Sequence, residues 1–142
     1  MSMELLVILA SQRAPTAQAW ESALEDSRAP VQFSVRFDPS KQTGFVPVSV
    51  EGQQSGFYFL LESYQELKQA YPKLVSVQLH QPIVYSLGYG AHRLECAAAF
   101  YSAAILVARF GGIAFDPQGG AFISEHELTA AAKQCKTLPI PD

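Results

Sequence analysis

Residues 31–61 read VQFSVRFDPSKQTGFVPVSVEGQQSGFYFLL, and this stretch decides the architecture. Val31 to Phe37 alternates apolar and polar residues with period two, which sends successive side chains to opposite faces of a strand, so a half-buried strand is expected over 31–37. Asp38-Pro39-Ser40 turns the chain, Val46 to Val50 and Phe57 to Leu61 give two more strands, and Glu51 to Gly56 between them reads as a hairpin loop. Strands joined without an intervening helix pair as antiparallel neighbours, because a parallel pair needs a long crossover.

On the N-terminal side, Leu5 to Leu9 is an unbroken apolar run of strand length, the pattern of a strand covered on both faces. Pro15 then stands near the start of a helix with Ala17, Trp20 and Leu24 on one stripe and Glu21 and Glu25 on the other. On the C-terminal side, Ser63 and Glu66 have capping-box spacing and open a short helix that ends at Pro72. Two strands are expected next, Leu74 to Leu79 by alternation and Ile83 to Leu87 after Pro82.

A long alanine-rich helix, about 91–110, is apolar nearly all round and reads as the central buried helix, stopped by Gly111-Gly112. Two short strands around Asp116-Pro117-Gln118-Gly119 and a last helix opened by Ser124 and Glu127 complete the order. Hairpins outnumber crossover units, so the expected class is α+β: a mainly antiparallel sheet with helices packed mostly on one face. Residues 1–136 form one domain in this reading, and 137–142 a proline-containing tail.

Composition narrows function mostly by exclusion. The 142 residues are 49% hydrophobic and 16% charged, which sets aside disorder, collagen-like repeats and a disulfide scaffold. Ten Lys plus Arg against thirteen Asp plus Glu give a net charge of −3 with no basic stripe, so nucleic acid is not an expected partner. The apolar stretch from Cys96 to Ala108 is short of the ~20 residues a membrane span needs. The two cysteines, Cys96 and Cys135, lack zinc or redox spacing and read as reduced, buried, small apolar residues, an argument for the cytoplasm.

No catalytic motif is assembled, so an enzyme is not expected, and neither a cofactor nor a metal is implied. His92 and Cys96 share a helix face four residues apart, as a Cys–His nucleophile or half a zinc site would require, but the further ligands zinc needs are not specified. The carboxylate pairs Glu62/Glu66 and Glu125/Glu127 stand at helix starts, where negative charge complements the helix dipole. Gly88-Tyr89-Gly90, between a strand and a helix, gathers backbone N–H groups near His92 and Arg93, and Gly88, Gly90, His92 and Arg93 are the candidate anion site. That turn lacks the third glycine of a dinucleotide fingerprint and the Lys-Ser/Thr of a P-loop.

From Ala97 to Lys133, an alanine-rich helix runs into Gly111-Gly112, then Ile113-Ala114-Phe115-Asp116-Pro117-Gln118, a turn, and a Ser124-x-x-Glu127 helix. This pattern resembles small bacterial immunity proteins that neutralise secreted toxins of type VI and related polymorphic toxin systems. The resemblance covers about a quarter of the chain and consists of a helix stop and a tight turn, so it implies a class of partner, a cognate protein toxin, and carries no functional residue. The residue types suited to such an interface are exposed aromatics beside carboxylates, and Tyr58, Glu51 and Tyr89 are the candidates. The alternative is a small-ligand, anion-binding or catalytic domain using the Gly88 to Arg93 turn, and a homodimer through an edge strand is the third class.

Overall fold

A computed structural model describes residues 3–41 and 43–137, apart from the side chain of Arg93. In chain order the elements are β1 (Met3–Ala10), α1 (Ala17–Asp26), β2 (Val31–Phe33), β3 (Gly44–Val50), β4 (Gln53–Glu62), α2 (Tyr64–Ala70), β5 (Pro82–Tyr89), α3 (Arg93–Phe110), β6 (Ile113–Asp116), β7 (Ala121–Ile123) and α4 (Glu125–Thr137). The seven strands form one sheet in the order β2-β3-β4-β5-β1-β6-β7, with every neighbouring pair antiparallel. This is the α+β class expected. The tail residues 138–142 lie outside the described residues, and Thr137 itself belongs to α4.

β1 is covered on both faces, as its continuous apolar run requires. Leu5, Val7 and Leu9 face the main core with α1, α3 and α4, whereas Leu6 and Ile8 join Tyr64, Leu74, Val84 and Phe115 in a second core under α2. α3 lies against the centre of the sheet with α1 and α4 packed on it, which explains an apolar surface nearly all round. Gly111 ends it at φ 71°, and the Gly112 N–H returns to the Leu106 carbonyl at 3.0 Å.

Trp20 is fully buried between α1 and the sheet, with its ring centroid 5.3 Å from that of Phe33 and 5.8 Å from that of Tyr85. Both serine caps form: Ser63 accepts from the Glu66 N–H at 3.4 Å, and Ser124 and Glu127 satisfy each other's backbone N–H groups reciprocally.

Four expectations are corrected. The strand expected over 31–37 stops at Phe33: the next pairing would set Ser34 opposite Pro47, where the Ser34 N–H donates to the Pro47 carbonyl at 2.9 Å but proline has no N–H to return. Freed from the ladder, Phe37 packs against Trp20 and Phe59. The loop expected over 51–56 contracts to the pair Glu51-Gly52, at φ 52° and 79°, the two positive values of a tight hairpin turn.

The segment 74–79 is no strand. Pro72 opens a single 3-10 turn through Ser76, and the Leu74 carbonyl accepts from the Tyr64 hydroxyl at 2.7 Å, so Leu74 is pinned under α2 while Val75 points to solvent. Last, Cys96 and Cys135 are not free thiols but are joined as a disulfide between α3 and α4. Their 39-residue separation conceals this, because it takes the packing of α4 against α3 to bring the sulfurs together.

Candidate functional site

α2 and the 3-10 turn cover only part of the sheet face opposite α3. The remainder carries an exposed strip built by strand alternation: Tyr58 and Leu60 on β4, with Phe45 on β3 directly opposite Tyr58. Tyr58 is 54% exposed and Phe45 46%, and their rings meet edge to face with centroids 5.0 Å apart. Phe45 also lies over Gly56, where an added Cβ would strike its ring. The glycine therefore supplies the space in which the aromatic pair stands.

Beside the strip a groove of ≈ 610 Å³ runs across β4, β5 and β1, lined by Tyr58, Leu60, Ser86, Gly88, Glu4 and Gln118. Gly88 keeps its floor low, since a Cβ there would stand 3.3 Å from that of Tyr58. Glu4 is held toward the groove by the Ser86 hydroxyl, which donates to its Oε2 at 2.9 Å. Glu62, the last residue of β4, has a buried Oε2 without a hydrogen-bond partner among the described residues. Burial, reinforced by the charges of Glu4 and Glu66, pushes its carboxyl above the ordinary glutamate range. The face is thus aromatic and acidic together.

The expected interface residues do not converge. Tyr58 is on this face. Tyr89 is 6% exposed and packs against Phe100 of α3 on the helix side of the sheet. Glu51, at the tip of the β3–β4 turn, bonds Lys136 of α4 at 2.6 Å.

The candidate anion turn is occupied from within. The Gly90 N–H donates to Glu95 Oε1 at 2.8 Å and the Leu94 N–H to His92 Nδ1 at 3.2 Å, so the chain's own groups cap the start of α3. Gly88 lies back in β5 paired with Tyr58 and Glu4, and the Arg93 side chain is outside the described residues. Cys96, bound to Cys135, is no nucleophile beside His92. Among the described residues no three His, Cys, Asp or Glu side chains group as a metal would need, and no helix is long and apolar enough to cross a membrane.

Sequence reasoning missed Phe45, Leu60, Glu4 and the half-buried carboxyl of Glu62, whose Oε2 is unpartnered among the described residues. The register held a signal for one of them: once Glu51-Gly52 is read as a two-residue turn, pairing Val50 with Gln53 sets Phe45 opposite Tyr58 by counting. No protein-family model matches the chain, and neither the curated proteins nor the solved structures provide a match.

Proposed function

We propose that this chain is a protein-binding module, an immunity protein that occludes a cognate toxin through the uncovered face of its sheet and performs no catalysis itself. The observation that carries the reading is the exposure of Tyr58 and Phe45 as a mutually packed pair on that face. Large exposed aromatics lose their hydration on docking and bring few rotamers to immobilise, so they serve as anchors of protein interfaces. The resemblance over 97–133 supplies the class of partner.

Glu4, Glu62 and Glu66 give the partner's chemistry: an apolar patch carrying Lys or Arg, drawn to the negative potential of these three carboxyl groups. A second copy docked face to face here would oppose carboxylates with carboxylates, which disfavours a dimer through this face and leaves one through an edge strand untouched. With Cys96 and Cys135 joined, no reduced thiol favours the cytoplasm, and a disulfide between α3 and α4 favours an oxidising compartment.

The test is capture of the partner from cells that carry the gene, with wild-type protein and Tyr58→Ala in parallel at moderate salt. The expected partner arrests growth when expressed alone, is rescued by co-expression of this chain, and is held weakly by Tyr58→Ala. A partner that is harmless alone overturns the immunity reading, and equal capture by the two proteins overturns the surface.

A further inference from the structure

Two residues depart from ordinary backbone preference at the same place. Arg28, just past α1, sits at φ 60°, and Glu51 sits at φ 52° in the β3–β4 turn. Glycine or asparagine takes these conformations readily, whereas a long charged side chain there costs stability. Backbone bonds close both turns, the Ala29 N–H returning to the Leu24 carbonyl at 3.0 Å and the Glu51 N–H to the Pro30 carbonyl at 2.8 Å, and the Ser27 hydroxyl also donates to the Leu24 carbonyl. The side chains are therefore not needed for the turns they occupy. Gln81, the third non-glycine residue at positive φ among the described residues, accepts from the Ser11 hydroxyl and lies away from this place.

Arg28 and Glu51 line one cleft of ≈ 500 Å³ on the helix side of the sheet, with Tyr101, Ala104 and Ile105 of α3 also lining it and α4 contributing Lys133 and Lys136. Lys136 is committed to Glu51 at 2.6 Å and stands 5.5 Å from the centroid of the Tyr101 ring. Arg28 and Lys133 form no ion pair among the described residues, and the carboxylates that also line the cleft are Glu125 and the Lys136-bound Glu51. Tyr101, Ala104 and Ile105 are largely buried and reach the cleft by their edges, so two uncommitted cations beside a narrow apolar margin, in a space of small-molecule size, form a composite site.

We infer that this cleft binds a small organic anion, its carboxylate or phosphate held by Arg28 and Lys133 and its apolar body set against the edges that Tyr101, Ala104 and Ile105 present to the cleft. This site lies across the sheet from the aromatic strip and does not depend on the protein-binding reading.

The test titrates phenyl phosphate, benzoate and inorganic phosphate separately into the purified chain, followed by amide shifts in nitrogen-15 spectra. Phenyl phosphate or benzoate is expected to move the signals of Arg28, Glu51, Tyr101 and Lys133 with saturation below about 20 mM, and inorganic phosphate to bind at least about tenfold more weakly. Arg28→Gly is expected to keep or raise the thermal midpoint, because glycine is at ease at that φ, while weakening the organic anion about tenfold. Lys133→Gln should weaken it similarly. The inference is overturned if neither organic probe moves the cleft signals, if inorganic phosphate binds as well as they do, or if Arg28→Gly binds unchanged.

Discussion

The indole Nε1 of Trp20 donates to the carbonyl oxygen of Ser102 at 3.1 Å, a buried bond from α1 to the middle of α3. That carbonyl lies within the helix and already serves its own ladder, so the indole adds a second donor to it. The same ring lies among Phe33, Phe37, Phe57, Phe59 and Tyr85, which makes it the joint between α1, α3 and the sheet.

Trp20→Ala should therefore cost about 3–5 kcal/mol, and Trp20→Phe, which keeps a ring but loses the donor, about 1–3 kcal/mol. Urea unfolding followed by far-UV circular dichroism measures both, since Trp20 is the one tryptophan and its fluorescence disappears with it. Equal losses in the two variants would show that the bond to Ser102, not the ring volume, holds the joint.

Glu62 makes stability depend on pH in an unusual direction for a carboxylate. Its native value lies above the ordinary 4.5, first through burial and then through Glu4 and Glu66. Between 4.5 and the native value the folded chain holds more protons than the unfolded chain, so this group lowers stability as pH rises through that window. Above it the ionised side chain carries a constant penalty. Glu62→Gln should raise the thermal midpoint at neutral pH, with the advantage fading in acid below the ordinary value; a midpoint unchanged at neutral pH would mean that the carboxylate is well solvated.

Much of the framework was legible because it depends on neighbours in sequence. The unbroken Leu5 to Leu9 run announced a strand covered twice, and Gly111-Gly112 and Ser124 with Glu127 marked helix ends by local chemistry. What was not legible depends on partners far along the chain. Val31 to Phe37 has a strand's alternation, but its length is set by Pro47 on the neighbouring strand. Leu74 to Leu79 keeps the alternation without a ladder, because Tyr64 holds the Leu74 carbonyl. At the candidate site, Tyr58 and Tyr89 are both tyrosines on strands, and parity decides that one meets solvent and the other α3. No composition argument separates them.

The disulfide closes a loop with a sequence separation of 39 residues. By the chain-entropy account it stabilises the folded state by about 4 kcal/mol. α4 packs chiefly on α3, so loss of the link should be felt first in the last turns of α4. A Cys96→Ser, Cys135→Ser double variant should unfold at lower urea, with hydrogen exchange accelerated around residues 131–137 and the sheet still protected. Equal mass after alkylation of the unfolded chain with and without reductant would show the thiols free and remove this contribution.

Phe45, Gly56 and Tyr58 form a unit in which stability and binding separate. At Gly56 a Cβ would meet the Phe45 ring and also the Val46 carbonyl oxygen at 2.5 Å, and backbone cannot swing aside as a ring can. Gly56→Ala should therefore destabilise by about 1–3 kcal/mol, and Phe45→Ala added to it should restore only part of that loss. Tyr58→Ala, by contrast, removes a side chain that is mostly in solvent, so its stability should stay within about 0.5 kcal/mol of wild type while affinity for the proposed partner falls tenfold or more, about 1.4 kcal/mol or above. Denaturation and titration calorimetry on the same three variants distinguish the roles. If Tyr58→Ala loses stability in step with affinity, the tyrosine serves the sheet and not a partner.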